Sequence, residues 1–147
     1  MYLDSCVIIK LLVTEPDSGD FVSSLENKPL ITSELSQTEV FSALLTRERA
    51  GKISVTDRRR AWHEFEARIS AGEIRMELLS SVVLRKAAFF LERCHPRVPL
   101  RSLDAIHLAT ADLCQEYPLA TTDGRLRDAA TLLGLDIFPP AKSLPAN

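Results

Sequence analysis

Short apolar runs alternate with longer helical patterns along the whole chain, and this alternation constrains the fold more than any other feature. Between the runs, apolar residues recur at spacings of three and four, as on one face of a helix. Strands that alternate with helices predict an α/β domain with a parallel sheet and helices on both faces. The runs that predict about five short strands are Met1–Leu3, Leu30–Thr32, Ile74–Leu78, Leu119–Thr121 and Leu135–Phe138.

The helical patterns have recognisable ends, since Gly51 and Gly72 each follow one and can stop it. A break at Pro16 precedes a short helix that is expected from Asp17 or Ser18 to about Leu25. The other predicted helices are Ser5–Leu12, Ser36–Arg49, Thr56–Ala71, Ser80 or Ser81 to Cys94, Ser102–Glu116 and Gly124–Leu133.

The length of 147 residues suits one domain over residues 1–147, with a flexible Pro-rich tail from about Pro139. Hydrophobic residues make up 46% of the chain, enough for a core, and the net charge of −2 gives no broad basic field that would indicate nucleic acid. That absence does not exclude a nucleic-acid substrate, because a bound metal supplies local positive charge.

No apolar run is long enough to span a bilayer, and the start of the chain lacks the positive region of a signal peptide. The three cysteines make an odd count in a domain of this size. Reduced thiols are the simplest interpretation. We therefore expect a cytoplasmic protein with no membrane partner.

Four acidic residues follow the apolar runs or lie in the first turns of the helices: Asp4, Glu39, Asp104 and Asp123. The carboxyl ends of parallel strands form the ligand crevice of an open α/β sheet. Four carboxylates at that edge favour a divalent-cation site, and so metal-assisted chemistry on phosphate.

Each acid also has an ordinary structural interpretation. Asp4 and Asp123 could cap helices, and Glu39 could complete a capping box with Ser36. Asp104 lies in the first turn of a predicted helix, where the helix dipole stabilises a negative charge. Caps do not require a carboxylate, however, and clustering charges is costly. Two unit charges ~5 Å apart repel by roughly 3 kcal/mol at an effective dielectric of ~20. Mg²⁺ or Mn²⁺, which prefer oxygen ligands, would offset that repulsion.

Four segments resemble, in order, the motifs of PIN-domain ribonucleases. The likeness covers nearly the whole chain. The size of the chain is similar to that of the VapC-type toxins of bacterial and archaeal toxin–antitoxin pairs. No residue-level correspondence extends over the region 47–81. The segments are Tyr2–Leu11, Thr32–Val40, Leu100–Ala111 and Leu119–Leu135.

The resemblance implies a Rossmann-like sheet, Mg²⁺- or Mn²⁺-dependent cleavage of RNA, a homodimer and a small antitoxin that blocks the site. Asp4, Asp104 and Asp123 would hold the metal, directly or through water. Glu39 would complete the ligand set or orient the attacking water. Hydrolysis would leave 5′-phosphate and 3′-hydroxyl ends.

Other polar residues have two open interpretations each. Ser5 and Thr121 could fix the carboxylates by hydrogen bonds or serve ordinary turns. Arg101 and Arg125 stand beside acidic motifs and could bind the phosphates of the substrate. His107, three residues after Asp104, is expected to support the core or a ligand rather than bind metal.

The region between the second and third motifs carries a basic run, from Arg47 to Arg60, that could contact RNA or form a solvated face. Asp128 is expected to be solvated. Phe41 and Trp62 are expected in the core of a helix hairpin, part of which could serve a dimer or an antitoxin helix.

Two rival classes of function remain beside the nuclease. A receiver-like domain also carries acids at strand ends, but it needs a late lysine, and the chain has none near Asp123. A PIN-like scaffold that binds RNA or protein without cutting would keep the same fold. The sequence leaves open the RNA target, the number of metal ions and the identity of the antitoxin.

Overall fold

The structure, a computed structural model, describes residues 1–13, 23–25 and 28–140. Its centre is a sheet of five parallel strands in the order β3-β2-β1-β4-β5. The predicted α/β class with about five short parallel strands is therefore confirmed. The strands are β1 (Tyr2–Leu3), β2 (Leu30–Ser33), β3 (Ile74–Glu77), β4 (Leu119–Ala120) and β5 (Ile137–Phe138).

Within the described residues, six helices that can be followed from end to end flank the sheet, with bounds within two residues of the predicted ones. Of the short helix expected to end at Leu25, only Ser23–Leu25 lie within the described residues, and they are helical. Among the described helices, none has the length and apolarity needed to cross a membrane. The helices are α1 (Ser5–Leu12), α2 (Leu35–Arg49), α3 (Val55–Ser70), α4 (Ser81–Cys94), α5 (Ser102–Cys114) and α6 (Gly124–Leu133).

The hairpin of α2 and α3 is fixed by local signals in its connecting turn. Gly51 has a φ of +68°, in the left-handed region that favours glycine. Ser54 and Asp57 then form a capping box: the Ser54 hydroxyl accepts from the Asp57 amide at 3.0 Å, and the Asp57 carboxylate accepts from the Ser54 amide at 3.3 Å. These signals start α3 one residue before the predicted position.

Two hydrophobic clusters cover the two faces of the sheet, because successive strand residues point to opposite sides. Leu3 belongs to the cluster with α1, α2 and α3, which includes the fully buried Phe65. Tyr2 belongs to the cluster with α4, α5 and α6, which includes Leu108. The protein is therefore a three-layer structure.

The strand order places a topological switch point at β1. From β1 the chain passes to β2 on one side, whereas β4 lies on the other side, with Leu3 opposite Ala120. The carboxyl ends of adjacent parallel strands diverge at such a point and leave a crevice for ligands. Asp4 follows β1, and Thr121 to Asp123 follow β4, so the fold brings both acidic motifs to this crevice.

Candidate metal centre

All four predicted acids line one cavity of about 270 Å³ at the carboxyl edge of the sheet. The fold therefore brings together side chains that are far apart in sequence. The remaining lining comes from α1 and α2. The lining residues are Asp4, Ser5, Cys6, Ile9, Glu39, Ala43, Arg47, Asp104 and Asp123.

Asp4 occupies the N-cap position of α1, but its side chain does not cap the helix. Its Oδ2 instead accepts hydrogen bonds from Thr121 Oγ1 at 2.7 Å and from Cys6 Sγ at 2.9 Å. The capping interpretation of this side chain is wrong, because β4 lies close enough for Thr121 to take its oxygen. Asp4 is only 7% exposed, so its orientation is fixed by these neighbours.

Glu39 does not form the capping box with Ser36. Helix α2 begins at Leu35, one residue before the predicted start, which places Ser36 inside the helix and buries it. Its hydroxyl bonds to Thr32 Oγ1 at 2.6 Å. Glu39 Oε2 is therefore free to accept from Ser5 Oγ and to bond to His107 Nε2, the latter at 2.6 Å.

Asp104 lies in the first turn of α5, and its Oδ2 is buried without a hydrogen bond. Among the side-chain nitrogens and oxygens of residues 1–13, 23–25 and 28–140, this is the only such atom. Burial raises the pKa of Asp104, and the charges of Asp123 and Asp4 add to that effect. A buried anionic oxygen that no donor satisfies fits a cation.

Asp123 has two roles in the structure. Its Oδ1 accepts from the Leu126 amide at 2.9 Å, so it caps α6 as the helix signal predicts. It also lines the cavity. Thr121 connects the two acidic strand ends, since its Oγ1 donates to Asp4 and accepts from the Asp123 amide at 3.1 Å.

His107 is fully buried beneath this cavity, at 1% exposure. Its Nδ1 lies 2.8 Å from the Tyr2 hydroxyl, and its Nε2 lies 3.8 Å from Asp4 Oδ1. Ligand atoms of Asp4, Glu39 and His107 lie within 4.8 Å of one another, close enough to be considered for a metal. His107 does not, however, line the cavity as the four acids do.

Glu39 and His107 shift each other's protonation. Burial alone would raise the pKa of Glu39, but the hydrogen bond and charge of His107, with the Ser5 hydrogen bond, lower it overall. Burial would lower the pKa of His107, but the Glu39 hydrogen bond and the charges of Asp4, Glu39 and Asp104 raise it overall. Each group therefore stabilises the charged form of the other, Glu39 as the carboxylate and His107 as the protonated ring.

Neither predicted phosphate-binding arginine lines the cavity. Arg101 is exposed, and Arg125 lies near enough to Asp104 for its charge to oppose the rise in that pKa. Arg47, from the basic run, does line the cavity. Elsewhere in that run Arg58 pairs with Glu48.

Three lining residues were missed by sequence reasoning, and Cys6 is the most informative. The only signal was its spacing of two residues from Asp4. Burial, with the charge and hydrogen bond of Asp4, raises the pKa of the Cys6 thiol to about 11. The thiol therefore stays protonated and acts as a hydrogen-bond donor to Asp4. Ile9 and Ala43 were also missed, because they are apolar residues without a chemical signal.

A second, apolar cavity of about 370 Å³ lies between α2 and α3. Trp62 packs edge to face on Phe41, with ring centroids 4.8 Å apart. Both were expected in a helix-hairpin core, but they are only partly buried, whereas the nearby Phe65 is fully buried. Phe41 and Trp62 also line this apolar cavity, which opens to the surface as a groove. The lining residues are Gln37, Thr38, Phe41, Ser42, Leu45 and Trp62.

Comparison with protein families and curated proteins gives consistent matches. The family model described as PIN domain matches residues 1–132. The chain is 33% identical over 147 residues to Ribonuclease VapC46 of Mycobacterium tuberculosis, covering 96% of this chain and 98% of that protein. It is 30% identical over 150 residues to Ribonuclease VapC35 of the same species, covering 97% and 98%.

Two solved structures share the fold at lower identity. A toxin-antitoxin complex from Klebsiella pneumoniae aligns with a TM-score of 0.55 and 16% identity, over 83% of this chain and 85% of the other. The crystal structure of FitAcB from Neisseria gonorrhoeae aligns with a TM-score of 0.65 and 19% identity, over 95% and 96%. At these identities the alignments concern the fold alone.

Proposed function

Because this chain belongs to the PIN-domain family, and within it is similar to VapC ribonucleases over nearly its full length, we propose that it is a metal-dependent endoribonuclease. The names of both relatives support RNA as the substrate class. We propose further that it is the toxin of a type II toxin–antitoxin pair, with a cytoplasmic location.

One observation carries the metal-dependent chemistry: four carboxylates line one cavity, and Asp104 Oδ2 is buried there without a donor. Carboxylates ~5 Å apart repel by roughly 3 kcal/mol per pair at an effective dielectric of ~20. A hard divalent cation offsets this repulsion and satisfies the orphaned oxygen. The donor set is suited to Mg²⁺ or Mn²⁺.

We assign a role to each acidic residue from the position of its side chain. Asp4, Asp104 and Asp123 would hold the cation directly or through water, and Glu39 would complete the ligand set or orient the attacking water. When bound, such a cation lowers the pKa of a water molecule and stabilises charge on the scissile phosphate. Water attacks in line, leaving 5′-phosphate and 3′-hydroxyl ends.

Two hydroxyl residues keep the carboxylates in place under this proposal. Thr121 donates to Asp4 Oδ2 at 2.7 Å, and Ser5 donates to Glu39 Oε2. Such outer hydrogen bonds fix the rotamers of metal-binding carboxylates. No side chain forms a covalent bond to the RNA in this reaction.

The proposed partners are a cognate antitoxin and a second copy of the chain. The similarity to a chain of the Klebsiella toxin-antitoxin complex and to the VapC relatives supports the antitoxin. The groove at Phe41 and Trp62 offers apolar surface to such a partner. Co-expression with an adjacent reading frame, followed by light scattering of the purified complex, tests both the partner and the stoichiometry.

Cleavage of total RNA tests the activity. The purified protein is incubated with Mg²⁺ or Mn²⁺, with EDTA, and as Asp4→Asn and Asp104→Asn variants. We expect discrete cuts that EDTA and both variants abolish. His63→Gln is the matched control, because the His63 side chain is 80% exposed on α3.

Cutting that persists in EDTA, or in both variants, would contradict the proposed metal site. A folded, antitoxin-free and metal-loaded protein that retains RNA without cutting would instead favour a non-catalytic RNA-binding scaffold. Mapping of the cut ends distinguishes hydrolysis by water from a cyclic-phosphate mechanism.

A further inference from the structure

A chain of two hydrogen bonds runs from the sheet to Glu39 through a buried ring. The Tyr2 hydroxyl lies 2.8 Å from His107 Nδ1, and His107 Nε2 lies 2.6 Å from Glu39 Oε2. Tyr2 and His107 are almost completely buried. These two hydrogen bonds therefore connect three different elements: β1, α5 and α2.

The direction of these hydrogen bonds follows from the chemistry of the groups. An ionised carboxylate can only accept, so His107 Nε2 must carry the hydrogen that points at Glu39. In the neutral ring, Nδ1 is then the acceptor, and the Tyr2 hydroxyl donates to it. Burial raises the pKa of Tyr2, so this hydroxyl keeps its proton.

Within the described residues, the hydrogen bonds of the Glu39 carboxylate are all on one of its oxygens. Oε2 accepts from His107 Nε2 and from Ser5 Oγ, and within the described part of the chain no hydrogen bond reaches Oε1. The carboxylate is thus held by one oxygen while the other remains available at the cavity that Glu39 lines.

We propose that His107 is a positioning residue, which with Tyr2 fixes the Glu39 carboxylate in the orientation that the metal site requires. This inference rests on the proposed metal-dependent function. Two features favour positioning over direct ligation: both ring nitrogens already have hydrogen-bond partners, and the ring does not line the cavity. Partners of this kind orient ligands and raise metal affinity.

Binding of Mn²⁺ to the RNA-free protein, followed by electron paramagnetic resonance, tests the role without relying on cleavage. His107→Leu removes both hydrogen bonds, and we expect Mn²⁺ affinity to fall about tenfold to a hundredfold. His107→Gln keeps an amide donor and an oxygen acceptor, so it should recover most of that loss. Tyr2→Phe keeps the ring packing and should give an intermediate loss.

Val83→Ala is the control for general loss of stability, because Val83 is buried in the same hydrophobic cluster as Tyr2 but lines no part of the cavity. It should leave Mn²⁺ affinity unchanged. Unchanged affinity in His107→Leu would overturn the proposal. So would a nitrogen directly coupled to bound Mn²⁺ in the wild type that His107→Gln removes, because His107 would then be a ligand.

Nitrogen NMR of the histidine rings in the metal-free protein tests the arrangement separately. Whether the ring is neutral or charged, His107 Nε2 must bear a proton, and an unprotonated Nε2 would overturn the proposal. Failure of the wild type to bind Mn²⁺ or Mg²⁺ would overturn the proposed function itself. The two failures are therefore distinguishable.

Discussion

Thr121 donates a 2.7 Å hydrogen bond to Asp4 although 117 residues separate them in the sequence. The two residues follow β4 and β1, which are adjacent and parallel. This bond joins the two sides of the topological switch point, where ligands bind in open α/β sheets. The geometry of the acidic cavity therefore depends on the pairing of these two strands.

Thr121→Val tests that dependence. Asp4 Oδ2 would lose a buried donor, so we expect metal affinity to fall about tenfold to a hundredfold. The free energy of unfolding should fall by about 1–3 kcal/mol, because a buried acceptor loses a partner. Isothermal titration with Mn²⁺ and urea unfolding measure the two effects.

Thr131→Val is the matched control for the loss of a threonine hydroxyl. Thr131 is exposed on α6, and its Oγ1 donates only to the Arg127 carbonyl, at 2.9 Å. We expect little change in either measurement. Equal loss of metal affinity in the two variants would show that Thr121 has no specific role in holding Asp4.

Asp104→Asn should increase the stability of the metal-free protein while removing its response to metal. The folded-state pKa of Asp104 is raised by burial and by Asp123 and Asp4, so its ionisation costs stability as pH rises through that value. We expect a gain below about 1 kcal/mol, because Asp104 is only partly buried and solvent screens the repulsion. Thermal unfolding in EDTA measures it.

Saturating Mn²⁺ should stabilise the wild type but not Asp104→Asn. Binding to the folded state adds about 2.7 kcal/mol when the free ligand is at 100 times its dissociation constant. An equal rise of the melting temperature in both proteins would show that Asp104 is not needed for the metal.

The metal-free protein should be more stable at about pH 5.5 than at about pH 8. The folded-state pKa of His107 is raised, so its contribution is full below 6.5 and is lost as pH rises through the raised value. The folded-state pKa of Glu39 is lowered, so its contribution is full above 4.5 and is lost only as pH falls through the lowered value. The folded-state pKa of Asp104 is also raised, so its contribution falls as pH rises above 3.8 and through the raised value.

Melting temperatures in EDTA across this range check the pH dependence. His107→Gln cannot titrate, so we expect a smaller difference between the two pH values in that variant. Exposed His63, replaced by Gln, serves as the control. A pH dependence that His107→Gln leaves unchanged would assign the effect to other groups.

Arg125→Ala should raise the KM for RNA by about threefold to tenfold and leave kcat nearly unchanged, as expected for loss of uniform binding. Its charge lies near Asp104, which places it beside the cavity that would hold the scissile phosphate. Arg59→Ala, in the exposed part of the basic run, is the matched control. An equal rise of KM in both variants would indicate general electrostatic attraction.

The sequence by itself determined the elements of the fold and the identity of the acidic residues. Apolar periodicity and end signals such as Gly51 and Gly72 act over a few residues, so they can be read directly from the sequence. For the same reason the bounds of the helices and strands that the structure describes from end to end were predicted to within two residues. The parallel orientation of the strands followed from the alternation of strands and helices.

The N-cap hydrogen bond of Asp123 was predicted from the sequence, but only the tertiary structure decided which hydrogen bonds Asp4 and Glu39 form. A capping box with Ser36 was one interpretation of Glu39 from the sequence, but Glu39 bonds to Ser5 and to His107, which is 68 residues away. The unsatisfied Asp104 oxygen and the raised pKa of that group arise from burial beside other carboxylates. Side-chain contacts and desolvation depend on how separate elements pack, and local sequence patterns carry no record of that packing.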